Sequence, residues 1–108
     1  MLNQVTLIGR IAKLPELRVT ETGKKIATVT LAVPRNYKNM NGEYDTDFLD
    51  CTLWTNIAEN TTEYFQQGDI IAIQGRVENL NKSSSNRIKI VGNKVTFIRS
   101  TKHNGEEN

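Results

Sequence analysis

The chain has 108 residues, 37% hydrophobic content and a net charge of +2, enough for one domain with a real core and too little for two. No apolar run approaches the ~18 residues of a membrane span, and the polar opening MLNQVTLIGR is a poor secretory signal. A lone cysteine, Cys51, excludes an internal disulfide and is expected to serve as a small buried hydrophobe, so the cytoplasm is the expected compartment, with no membrane association.

In chain order, Val5, Leu7 and Ile11 alternate with Thr6, Ile8 and Arg10, which predicts a first strand over residues 3–12 with a bend or bulge at Gly9. Pro15 interrupts it, and TGKK at 22–25 reads as a turn. Ala27, Val29, Leu31 and Val33 form a second strand, stopped at Pro34. Asn41-Gly42 is a hairpin signal that feeds a third strand over 46–55. One helix of about ten residues is then expected, with Asn56 as N-cap and Glu59 in the capping-box position. Its stripe is Ile57, Ala58, Thr61, Tyr64 and Phe65, and Gly68 ends it. Ile71, Ile73 and Val77 mark a fourth strand, and 87–98 a fifth with a bulge at Gly92. Residues 79–86 read as a polar loop, and 100–108 as a disordered tail. An all-β chain with one helix in this order predicts an OB-fold over residues 1–99: a five-stranded Greek-key barrel with the helix between strands three and four.

Charge is segregated along the chain. Residues 1–40 carry +5, residues 41–80 carry −7 and residues 81–102 carry +6. Either the fold has a basic face suited to a polyanion, or strands from the three blocks interleave and the surface averages out; composition leaves both open. Catalytic constellations are missing. The sole histidine, His103, falls in the tail. Of the three nearby acids, Asp45 and Asp47 share one face of a strand while Asp50 takes the other, which defeats convergence on a metal. The expectation is a binder, not an enzyme, with no cofactor and no metal.

The stretch DFLDCTLW, residues 47–54, carries the functional signal. Leu49, Cys51 and Leu53 make a core face. The other face bears Phe48 and Trp54 beside Asp50 and Thr52, rings where polar side chains are expected. They either pack under a loop or an interface, or they are offered to a ligand. Tyr37 and Tyr44 flank the adjoining hairpin, so four of the seven aromatics fall within residues 37–54. Rings on an OB surface stack unpaired bases irrespective of sequence, for about 1–3 kcal/mol per base, while Lys and Arg hold the phosphates. Arg10, Lys24, Arg35, Lys38, Arg76 and Lys89 are the candidate phosphate contacts.

The segments NQVTLIGRIAKLPELRVTETGKKIATVTLAV (3–33), DFLDCTLW (47–54), AENTTEYFQQGD (58–69) and IQGRV (73–77) resemble the bacterial single-stranded-DNA-binding proteins. The resemblance implies an OB-fold homotetramer that wraps single-stranded DNA in replication, recombination, repair or DNA uptake. By position it carries the base-stacking role to Tyr37, Phe48 and Trp54. Two features depart from the family. Lys82 stands near the position of a further aromatic in RVENLNKSSSNR, and the acidic, phenylalanine-ended tip is not found after HNGEEN. Recruitment of repair enzymes through such a tip is therefore not expected. The first strand, with Gln4, Thr6 and Ile8 on its second face, is expected to pair with its copy in another subunit. A protein-interaction adaptor of a replication assembly and an RNA-binding OB domain are the alternatives.

Overall fold

The computed structural model describes residues 1–13, 15–80 and 87–100. The predicted tail beyond residue 100, with His103, and most of the predicted loop 79–86, with Lys82, lie outside the described residues. The elements are β1 (Val5–Ile11), β2 (Glu16–Val19), β3 (Lys25–Lys38), β4 (Tyr44–Trp54), α1 (Thr55–Tyr64), β5 (Ile70–Asn79) and β6 (Ile88–Arg99).

Five of these strands close a barrel in the order β1-β5-β6-β4-β3, and β3 returns to β1 through Arg10↔Ala32 and Ile11↔Leu31. All pairings are antiparallel except β4–β6, where Cys51 and Thr52 lie parallel to Ile90 and Val91. The helix falls between the third and fourth barrel strands, as the OB-fold expectation has it. It follows β4 in chain order because β2 adds a sixth strand. That strand was not anticipated: ELRV is exposed throughout and pairs only with β3, from Glu16↔Thr28 to Val19↔Lys25. Glu-Leu-Arg-Val does alternate, but a four-residue stretch directly after Pro15 that buries neither side is too short to stand out as a strand in sequence.

The core is formed by Ile11, Ala27, Val29, Leu31, Cys51, Leu53, Ala58, Ile71, Ile73, Ile90 and Val91. Apart from Ala58 these come from the five barrel strands, mostly at alternating positions, and Ala58 with Thr61 are the buried residues of α1. Burial pushes the Cys51 thiol up to about 11, so it stays protonated and serves as a small hydrophobe. The barrel needs close backbone approach at its corners. A Cβ on Gly75 would lie 1.9 Å from the Val91 carbonyl oxygen, and one on Gly9 would lie 2.8 Å from that of Ala32. The expected bulge near Gly92 is present: Gln74 pairs with Lys94 and Gly75 with Gly92, leaving Asn93 as the extra residue. Gly9, by contrast, sits in unbroken register with Ile71. It marks the corner where β1 passes from β5 to β3.

Three boundaries differ from the sequence reading. β3 does not stop at Pro34 but runs on to Lys38, with Pro34 opposite Thr46 and a register shift between Pro34 and Lys38. A proline is tolerated there because β1 pairs with β3 only as far as Ala32, so no second neighbour needs the missing N–H. The helix is not capped by Asn56. The extended Trp54 is its N-cap without a side-chain hydrogen bond, and Thr55 follows at φ +56°. Glu59 serves as an ion-pair partner of Lys25 at 2.9 Å. Finally, α1 ends at Tyr64, where the extended Phe65 donates its N–H to Thr61, before Gly68 turns the chain at φ +96°.

Candidate nucleic-acid interface

The register of the β2–β3–β4 ribbon sets out its outer face row by row, because residues directly opposite in an antiparallel pair share a face. Trp54 lies across from Ile26, and Ile26 from Arg18. Thr52, Thr28 and Glu16 form the next row, then Asp50 and Thr30. Phe48 is opposite Ala32, which is itself opposite Arg10 of β1. Thr46 with Pro34 and Tyr44 with Lys38 complete the face. Leu49, Cys51 and Leu53 turn inward as expected, while Phe48 is 66% exposed and Trp54 half-buried. Six residues of strand place Phe48 and Trp54 about 20 Å apart along β4.

Between the rings the surface is concave and polar. Lys13, Glu16, Arg18, Thr28, Thr30 and Asp50 line a cleft of about 370 Å³, and the Thr30 hydroxyl donates to the Asp50 carboxylate across it. A second hollow of about 370 Å³, mostly apolar, lies beside Phe48 and is walled by Ile8, Arg10, Ala32, Pro34 and Thr46. A face with two rings at its ends, a grooved middle and cations at its rim can stack planar groups and hold anions between them.

Beyond the barrel, β3 and β4 continue as a two-stranded arm. Asn39 closes it: its side-chain oxygen accepts the N–H groups of Asn41 (2.8 Å) and Glu43 (3.0 Å), and Gly42 takes φ +80°. Tyr37 is 60% and Tyr44 56% exposed. With Lys38 opposite Tyr44, strand alternation sets Tyr37 on the reverse side of the arm, where it contributes to the field at Arg35. The structure thus brings Phe48 and Trp54 to one face and leaves Tyr37 on the other side of the ribbon.

The six candidate cations divide into two groups. Arg35 grips Asp47 through two parallel hydrogen bonds, Nε to Oδ2 at 3.1 Å and Nη2 to Oδ1 at 2.9 Å, with Asp45 at 3.9 Å. This contact holds the Asp47 carboxyl below its ordinary range and raises the Arg35 guanidinium. Arg76 donates to Glu78 at 2.7 Å and to Asn93 at 3.1 Å, and Lys89 approaches Glu78 at 3.8 Å. Hydrogen bonding from Arg76 accordingly lowers the Glu78 carboxyl. By contrast, Arg10, Lys24 and Lys38 pair with no carboxylate among the described residues, and Lys38 lies 5.9 Å from the Tyr44 ring centroid. Of the two charge readings, interleaving describes most of the surface. Lys25–Glu59, Arg35–Asp47 and Lys89–Glu78 each join different charge blocks. Arg18 and Lys13 were missed as candidates; Arg18 reaches the ring-bearing face only through the unanticipated β2.

Comparison with known proteins settles the lineage. The profile of the single-strand binding protein family matches residues 2–101. The chain belongs to that family. It is 49% identical over 78 residues to single-stranded DNA-binding protein B of Bacillus subtilis (72% of this chain, 69% of that one). It is 41% identical over 110 residues to single-stranded DNA-binding protein 3 of Listeria innocua (97% and 68%). Among solved structures, the Plasmodium falciparum SSB in complex with ssDNA superposes with a TM-score of 0.75 at 23% identity, covering 91% of this chain and 96% of that one. The Thermus aquaticus single-stranded DNA binding protein gives 0.76 at 22%, with this chain spanning 52% of it. At such identities the structural likeness speaks for the fold.

Proposed function

We propose that this protein binds single-stranded DNA without sequence preference, protecting it in the cytoplasm during replication, recombination, repair or uptake. The observation that carries this reading is the outer face of β4, where Phe48 and Trp54 stand outside the core at the two ends of a grooved sheet. Unpaired bases stack on these rings, and the phosphates run past Arg10, Lys24 and Lys38, the candidates without carboxylate partners. Tyr37 offers a ring to a strand that passes around the arm. Nothing in this scheme reads base edges, so the binding is indifferent to sequence. Its work is binding, not catalysis.

The assembly we propose is a homotetramer. Along Val5–Gly9, β1 is paired with β5 on one edge, whereas its pairing with β3 is confined to Arg10 and Ile11. The second edge of Val5–Gly9 is therefore available to the same strand of another copy around a two-fold axis, and Ile8, 56% exposed, lies beside it. Light scattering should give about four times the 12.2 kDa chain mass.

Titration of Trp54 fluorescence with oligo-dT, oligo-U and duplex DNA tests the function. Quenching by oligo-dT, with duplex competing poorly because its bases present no free face, is the expected result. Equal or stronger quenching by oligo-U would turn the reading toward RNA, and no response to any of the three would remove it.

A further inference from the structure

We propose that Tyr44 is an additional base-stacking platform, which extends the DNA track from the barrel onto the β3–β4 arm. This inference rests on the reading of the β4 outer face as the DNA site. β4 runs from Tyr44 to Trp54, and the register shift in this ribbon falls between Pro34 and Lys38 on the β3 side. Alternation along β4 is consequently unbroken, and Tyr44 shares its face with Phe48 and Trp54. Tyr37, next to Lys38 on β3 and out of phase with it, goes to the reverse side. The spacing is about 13 Å from Tyr44 to Phe48 and about 20 Å from Phe48 to Trp54, at ~3.3 Å per residue. A single strand crossing Trp54 and Phe48 in line with β4 next meets Tyr44.

Three features suit Tyr44 to the task. Its ring is 56% exposed, so a base can reach it without unfolding anything. The Lys38 ammonium lies 5.9 Å from the ring centroid, which steadies the ring through a cation–π contact and leaves a second face open to a base. That same ammonium has no carboxylate partner among the described residues, so it is free to meet the phosphate of the stacked nucleotide. Asn39 also ties its amide to Asp45 at 3.1 Å, which braces the arm next to Tyr44.

The test is a length series of oligo-dT from about 4 to about 16 nucleotides, the range of sites on one OB barrel, titrated by Trp54 quenching into the full chain and into Y44A and Y44F. Shorter strands that reach only Trp54 and Phe48 should bind the full chain and Y44A equally. Longer strands should bind Y44A about 5- to 20-fold more weakly, the lower part of the range for loss of one stacked base, and Y44F should bind them like the full chain. Equal affinity of the full chain and Y44A at every length, with Trp54 still quenched, would overturn the role of Tyr44 and leave the DNA-binding reading standing. A uniform loss at all lengths would also overturn it, because it would report a disturbed fold instead of a lost contact. Failure of every oligonucleotide to quench Trp54 in the full chain would end the parent reading and this one together.

Discussion

The barrel contains two long antiparallel ribbons, β3–β4 and β5–β6, and they handle charge in opposite ways. On β3–β4 the outer face carries exposed rings, while its strongest ion pair, Arg35 with Asp47, lies on the other face, where Asp47 is opposite Val33. The cations beside the rings, Arg10 and Arg18, come from neighbouring strands and meet no carboxylate among the described residues. On β5–β6 the outer face carries Arg76, Glu78, Lys89 and Asn93, which bind one another. The difference shows how a chain of nearly neutral net charge can still offer a polyanion site. One ribbon leaves its contacts open, whereas the other satisfies its own. Binding free energy should therefore be concentrated on β3–β4, with β5–β6 serving chiefly as the wall that holds the barrel closed.

The severest way to break this contrast is to remove that wall. Gly75→Ala places a Cβ 1.9 Å from the Val91 carbonyl oxygen, an overlap with backbone that no rotamer change relieves. We expect a loss of about 3 kcal/mol of stability, at the upper end of overpacking costs, measured by urea unfolding. DNA affinity of the fraction that remains folded should change little. The next largest effect is on the ring-bearing ribbon itself. Trp54→Ala should cost about 1–3 kcal/mol of affinity for oligo-dT with the circular dichroism unchanged. An unaltered dissociation constant would assign Trp54 to packing against Ile26 and Arg18 instead of to DNA.

Much of this contrast was legible in the sequence, for a physical reason: period-two alternation fixes which side of a strand each residue takes. DFLDCTLW declared both its core face and its ring-bearing face, and the same rule holds back to Tyr44, which the sequence reading noted only as part of an aromatic cluster. What alternation cannot report is a change of register. The shift between Pro34 and Lys38 sets four residues of β3 against two of β4; it leaves Tyr37 in phase with Val33, as alternation alone has it, but no residue pattern there announces the extra pair. Nor did β2 stand out, since its four residues alternate over too short a stretch, directly after Pro15, to declare a strand; Arg18 was thereby lost from the site. The helix start failed differently. Asn56 and Glu59 fit a capping box, but Thr55 takes the reversal at φ +56° and Lys25 claims Glu59, so tertiary contacts override the local signal.

The charge contrast is tested by salt. If Arg10, Arg18, Lys24 and Lys38 meet phosphates, log K should fall with log[salt] at a slope of about −3, that is −0.7 for each of four contacts. A flat dependence would deny the electrostatic part of the scheme. Glu78→Gln then releases Arg76 and Lys89 on the outer face of β5–β6, and it should steepen the slope by about 1.4 if both reach DNA. No change would show that the strand never crosses the β5–β6 ribbon.

The smallest expected effect belongs to Asp47, and it bears on Tyr37. Asp47→Asn removes the carboxylate that Arg35 grips, on the side of the arm where strand alternation sets Tyr37. If DNA wraps around the arm to meet that ring, the freed guanidinium gains one phosphate and the slope steepens by about 0.7. Tyr37→Ala should then cancel the gain, because the base that brings the phosphate there has lost its platform. If the strand stays on the face of Phe48 and Trp54, neither change registers. Acid cannot substitute for the mutation at ordinary pH. Hydrogen bonding from Arg35 depresses the Asp47 carboxyl, so the pair is fully formed above the unperturbed carboxylate value of about 3.9 and is lost only as pH falls through the lower folded value. Affinity of the unmodified chain should consequently be flat between about pH 5 and 8 as far as this pair is concerned. The Asp47→Asn variant should differ from it by the same factor throughout that interval. A difference that vanished toward pH 5 would mean that the Asp47 carboxyl takes up its proton above the ordinary carboxylate range, the opposite of what the Arg35 hydrogen bonds impose.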